Sequence, residues 1–191
     1  MLGKNSHVME KLMNTEERIL NSSDLSEREV FLLRRTFEIA QEAKESGNHP
    51  FGCLLADKEG NILMEMGNRE VTDHGDCTAH AETLLMRYAS QKYTRDQLKD
   101  LIFYSCAEPC AMCSGALYWG NIRKVVYAGS EASLKELTGN DPRNPTLNMP
   151  CRIVFAAGQK EIEVIGPVAD LEKEFLKIQE NYWNPSKTKN R

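Results

Sequence analysis

Residues 106–113 read CAEPCAMC, and three cysteines in eight positions decide how the rest of the chain is read. A strand-like run, LIFYSCA (101–107), leads into them, and a helix-like run, PCAMCSGALYWG (109–120), leads out, with Pro109 in its first turn. Cys110 and Cys113 are two residues apart, so both thiols reach one ion from the start of that helix. The positive helix end favours their thiolate form. Two thiolates leave a tetrahedral zinc incomplete. TAHAE (78–82) supplies His80, near another expected helix start, and Glu82 two residues on. Three protein ligands leave one position open to water, the layout of a catalytic rather than a closed zinc. Zinc brings the pKa of such a water to roughly 7. Glu82 is placed to take its proton without ligating the metal and to pass it to a leaving group.

Composition sets the frame. The chain has 191 residues, 41% of them hydrophobic and 27% charged, enough for one domain with a substantial core. The N-terminal residues contain no apolar run of signal-peptide type, and no stretch approaches the roughly 20 apolar residues that span a bilayer. A cytoplasmic protein with no membrane partner is expected. In a reducing compartment clustered thiols bind metal or do chemistry more often than they form disulfides. Of the six cysteines, Cys53 and Cys151 stand alone and are read as buried apolar residues. The net charge of −4 argues against a large nucleic-acid surface, because phosphate contacts need Lys and Arg. RNA is a disfavoured partner, and the basic KTKNR at 187–191 is read as a solvated end.

The organisation follows from periodicity and caps. Residues 1–24 form a polar extension with a loose helix around Val8–Leu20, 25–184 form one domain, and 185–191 a basic tail. Ser26 and Glu29 make a capping box, and Val30, Leu33, Phe37 and Ala40 recur at helical spacing until Gly47. FGCLLADKEGNILMEMGN (51–68) reads as a β-hairpin. DCTAHAETLLMRYASQK (76–92) reads as a helix capped by Asp76 or Thr78. KVVYAG and IEVIGPV read as strands, and DLEKEFLKIQENYW as a closing amphipathic helix. The loop TGNDPRNPTLNMP (138–150) is long enough to suggest function. This order implies an α/β fold, one mixed sheet with helices on both faces.

HAE at 80–82 followed by PCAMC at 109–113 fits the H-x-E…P-C-x-x-C signature of zinc nucleobase deaminases. From about Pro50 to Gly129 the chain resembles the cytidine deaminase-like superfamily, in its guanine deaminase and transfer-RNA adenosine deaminase branch. The resemblance extends through PFGCLLADKEGNIL, the Gly-Asn at 67–68, TAHAE, EPCAMCSGALYW and KVVYAG. It implies a three-layer α/β/α fold with a mixed five-stranded sheet. It also implies Zn2+ held by His80, Cys110 and Cys113, a zinc-activated water as nucleophile, Glu82 as proton shuttle and ammonia as product. Asn68 resembles the asparagine that hydrogen-bonds the base, and Phe51 and Trp119 resemble residues lining the base pocket. Asp141 corresponds to an acidic residue that contacts guanine. A homodimer acting on a small nucleobase or nucleoside is implied, with a guanine-like base favoured. The alternatives are transfer-RNA adenosine, cytosine, isocytosine or a pterin-like base.

Plainer readings stand beside these. Cys77-x-x-His80 with Cys110-x-x-Cys113 is a legitimate closed Cys3His site in a non-enzymatic module. A redox CxxC is a second rival, but leaves His80 and Glu82 unexplained. Trp119 reads equally as core or dimer packing, Cys106 as a packed thiol, and Glu108 as a helix cap. His49 is close enough to Pro50 to touch a ligand, while His7 and His74 are read as surface residues.

Overall fold

The computed structural model describes residues 20–184. The helix expected around 8–20 and the tail at 187–191 fall outside these, apart from Leu20. Ordered packing starts ahead of residue 25: Leu20 bridges to Val168, and the 3-10 turn Ser22–Asp24 hydrogen-bonds to Asp170.

Helix α1 (Glu27–Glu45) starts at the expected capping box, where Ser26 Oγ accepts from Glu29 N–H at 3.2 Å and Glu29 Oε2 accepts from Ser26 N–H at 3.1 Å. Strands β1 (Gly52–Ala56) and β2 (Ile62–Gly67) form the hairpin, turned by Asp57, whose carboxylate accepts from the Asn61 backbone at 2.8 Å. Helix α2 (Ala81–Lys92) follows, then the short α3 (Arg95–Lys99), strand β3 (Ile102–Ala107) and helix α4 (Ala111–Gly120). Strand β4 (Lys124–Gly129) leads into α5 (Glu131–Thr138), and after an irregular loop come α6 (Cys151–Ala156), β5 (Glu163–Ile165) and α7 (Ala169–Trp183). The sheet order is β2-β1-β3-β4-β5, antiparallel at β2/β1 and β1/β3 and parallel at β3/β4 and β4/β5.

The expected mixed five-stranded sheet is therefore present, and strand periodicity explains its two covered faces. Leu54, Ala56, Tyr104, Cys106, Val126 and Ala128 point to the face packed by α1 and α7. Their neighbours Cys53, Leu55, Phe103, Val125 and Tyr127 point to the face packed by α2, α4 and α6. Every residue of β1 is buried, as expected of a strand covered on both sides. Its closeness to α1 needs glycine at 52, since a Cβ there would lie 2.6 Å from Thr36 O and Ala40 N. Among the described residues no helix is long and apolar enough to cross a membrane.

Two boundaries differ from the sequence reading. Helix α2 begins at Ala81 with His80 in the cap position, not at Asp76 or Thr78. Asp76 instead closes a local turn, its Oδ1 accepting from Thr78 N–H at 2.8 Å, while Arg69 N–H to Ala79 O (3.0 Å) joins the two ends of the 70–78 loop. Pro109 lies one residue before the α4 cap, Cys110, rather than in the first turn. Helices α3, α5 and α6, of 5, 8 and 6 residues, are additions to the sequence reading.

Candidate active site

The carboxyl ends of β3 and β4 lie side by side, because the two strands are parallel. In open α/β sheets that end is where clefts form. Here the cleft has a volume of about 290 Å³ and is reached by β1, β2, β3 and β4. His80 and Cys110 occupy the cap positions of α2 and α4, and Cys113 sits one turn into α4. Packing of α2 against α4 on the same sheet face brings the two helix starts together.

His80 Nδ1 lies 3.7 Å from both Cys110 Sγ and Cys113 Sγ, and the three donor atoms all fall within 4.8 Å of one another. A tetrahedral zinc with nitrogen at about 2.0 Å and sulfur at about 2.3 Å spaces those atoms about 3.6 Å apart. The donor set and its spacing fit zinc. The other imidazole nitrogen, Nε2, faces Glu70 Oε2 at 3.9 Å, which leaves Nδ1 as the ligating atom. The Cys110 thiol is held down to about 4, chiefly by hydrogen bonding from Cys113 and also by His80. Cys113 is pushed up by that same bond and by burial, and His80 is raised to about 9 by its bond to Cys110. One thiolate is thus available before metal arrives. Cys77 is exposed on the cleft rim and does not join the three-ligand group. Among the described residues a closed Cys3His cage has no third thiol in place.

Glu82 is 5% exposed and projects into the same cleft from the first turn of α2. Its Oε1 accepts from Ser105 Oγ at 3.3 Å, and its Oε2 lies 3.3 Å from Cys113 Sγ. Burial raises its pKa above the ordinary carboxylate range, which suits a group that must both take and give a proton.

Asn68 and Phe51 line the cleft with the metal-site residues. The Asn68 backbone N–H donates to Phe51 O at 3.0 Å, and its Oδ1 accepts from Glu70 N–H at 3.0 Å. That second bond fixes the amide so that Nδ2 is the free donor. Asp141 and Trp119 do not join them. Asp141 grips Arg143 in an ion pair at 2.5 Å, which pulls its carboxyl down to about 2, and Arg143 takes the place on the cleft wall. Trp119 is 73% exposed and packs edge-on to Tyr118 outside the cleft, because Leu117, two residues earlier on α4, is the one that faces the core.

Of the wall residues, His49 and Glu108 were named in the sequence reading, while Glu70, Arg143 and Glu131 escaped it. Glu70 stands between two imidazoles, 3.9 Å from Nε2 of both His49 and His80. His49 Nδ1 meets Tyr182 OH at 2.9 Å, and its ring lies 5.1 Å from that of Trp183. Burial lowers the pKa of His49, so its ring is an uncharged wall near neutrality. Arg143 donates to Trp183 O at 3.2 Å, tying the loop at 139–150 to the end of α7. Glu108 is a cap, as read, but of two helices that the sequence reading lacked: its carboxylate accepts from Glu131 N–H (3.1 Å) at α5 and Cys151 N–H (2.8 Å) at α6. Glu131 follows β4 as His80 and Cys110 stand at their own helix starts, and that recurrence was the available signal.

The comparisons agree with this geometry. The profile of the cytidine and deoxycytidylate deaminase zinc-binding region matches residues 26–129. The chain belongs to that zinc-dependent deaminase family. It is 37% identical over 165 residues to a probable cytosine deaminase of Schizosaccharomyces pombe, covering 86% of this chain and 98% of that one. It is 38% identical over 110 residues to guanine deaminase of Bacillus subtilis, covering 57% of this chain and 69% of the relative. Guanine deaminase from Nitrosomonas europaea shares the fold, with a TM-score of 0.64 at 23% identity over 88% of each chain.

Proposed function

We propose that this family member deaminates a free nucleobase hydrolytically, with guanine and cytosine as the candidate substrates. The observation that carries the reading is a three-ligand metal group open to a cleft of base size, with Glu82 buried beside it. Zinc bound there supplies a Lewis-acidic position at which water ionises near neutral pH. Glu82 takes one of the water's protons at its carboxylate and delivers it to the ring nitrogen. It then takes the second from the new hydroxyl and delivers it to the departing amine, so water supplies both protons and ammonia leaves. Asn68 Nδ2 donates to an acceptor on the base and orients it, and Phe51 covers an apolar ring face.

The segments around the ligands favour a guanine-like base. Cytosine is supported by a different observation: the relative matched over 98% of its own length is a probable cytosine deaminase. The acidic charge balance supports a small substrate over transfer RNA. Residues 25–184 serve as the single catalytic domain. A homodimer belongs to the same proposal, since Met112 and Trp119 lie two helical turns apart on the exposed side of α4. Sedimentation should give twice the chain mass, and Trp119→Glu should return a monomer; a wild-type monomer would remove the dimer from the proposal.

The test is ammonia release from guanine, cytosine, isocytosine, adenine, their nucleosides and a transfer-RNA anticodon stem-loop. Release from guanine or cytosine is expected. Release from the stem-loop alone would overturn the free-base reading in favour of RNA.

A further inference from the structure

Four glutamates line the cleft, and three are engaged. Glu70 lies between His49 and His80, Glu82 lies against Ser105 and Cys113, and Glu108 caps α5 and α6. Glu131 is different. It is 7% exposed, yet its carboxyl oxygens have no hydrogen bond or ion pair among the described residues. Those oxygens open onto the cleft and are not sealed beneath it, so they are placed to meet a ligand there. Its placement narrows that ligand. Asn68 follows β2 and Glu131 follows β4, so in the sheet order the two flank the end of β3, where Cys110 stands.

We infer that Glu131 determines specificity by hydrogen-bonding the ring N–H/C=O edge of the bound base, away from the amino group that Glu82 serves. The inference rests on the free-base reading and deepens it. Burial and the neighbouring Cys110, Glu108 and Glu82 charges push the Glu131 carboxyl up. A carboxyl oxygen accepts from a ring N–H in either protonation state, and the protonated form also donates to the adjacent C=O. Guanine and cytosine have such an edge. Adenine has none, and N1-methylation or N1-glycosylation of cytosine removes its N–H. Asp141, the other acidic residue suggested for base contact, is committed to Arg143.

The experiment compares kcat and KM of wild type, Glu131→Leu and Glu131→Gln on cytosine and guanine and on their N1-methyl counterparts. Zinc content and Tm are measured alongside. Glu131→Leu should lose about tenfold or more in kcat/KM on the parent bases, no further loss should appear on the methylated ones, and Glu131→Gln should recover part of the loss. Tm and zinc content of Glu131→Leu should stay near wild type, which separates a lost base contact from a fold or metal defect. Full activity in Glu131→Leu, or equal losses on parent and methylated bases, would overturn the inference. A wild type that releases ammonia from no base would instead overturn the reading of the site, and the inference with it.

Discussion

The floor of the cleft takes its chemistry from residues within three positions of two helix starts, His80 and Glu82 on one, Cys110 and Cys113 on the other. Its outer wall is assembled across the chain. Tyr182 reaches His49 over 133 residues, and Gln179 Nε2 donates to Pro50 O over 129, while Trp183 Nε1 donates to Gln179 Oε1 at 2.8 Å. The floor is held by backbone geometry next to a buried strand, the wall by side chains of α7 and by the Arg143 tie. The contrast teaches that metal chemistry here is a local property of β3, α2 and α4. On the proposed function, recognition of the base is a tertiary property separable from the metal.

That division can be broken by substitution. The largest effect belongs to the floor: Cys110→Ser should lose zinc and all turnover, read by metal analysis and ammonia release. Zinc retained at one equivalent would move the ligand set elsewhere. Next comes the wall. Trp183 is 3% exposed, and Trp183→Ala should cost about 3–5 kcal/mol of stability in a denaturant titration and raise KM, with zinc content kept. Loss of zinc in that variant would show that wall and floor are one unit. The smallest effect falls on the rim, where Cys77→Ser should leave zinc content and activity unchanged. A drop in zinc would make Cys77 a ligand after all.

The same contrast explains what could be read from the sequence. His80, Glu82, Cys110 and Cys113 were legible because their spacing and their helix starts are encoded within short segments. The hairpin, β3, β4 and α1 were legible through periodicity and the Ser26 box. Helix α6 was not, since it has six residues and its start is capped by Glu108 from the end of β3; α5 was missed although Ser130 supplies it with a local cap. Asp141 was named for a base contact, but Arg143, two residues on, neutralises it once the loop folds back. Trp119 was placed in the pocket because its segment matched; residues two apart on a helix face nearly opposite ways, and Leu117 holds the inward position. Glu131 carried no local mark beyond its place after a strand.

The central claim is that zinc binding and proton transfer are separate tasks of adjacent residues. Its most direct test is Glu82→Ala, assayed for bound zinc and for ammonia release from cytosine and guanine. One equivalent of zinc with turnover reduced by about a hundredfold or more is expected. Undiminished release from the zinc-loaded Glu82→Ala variant would contradict it.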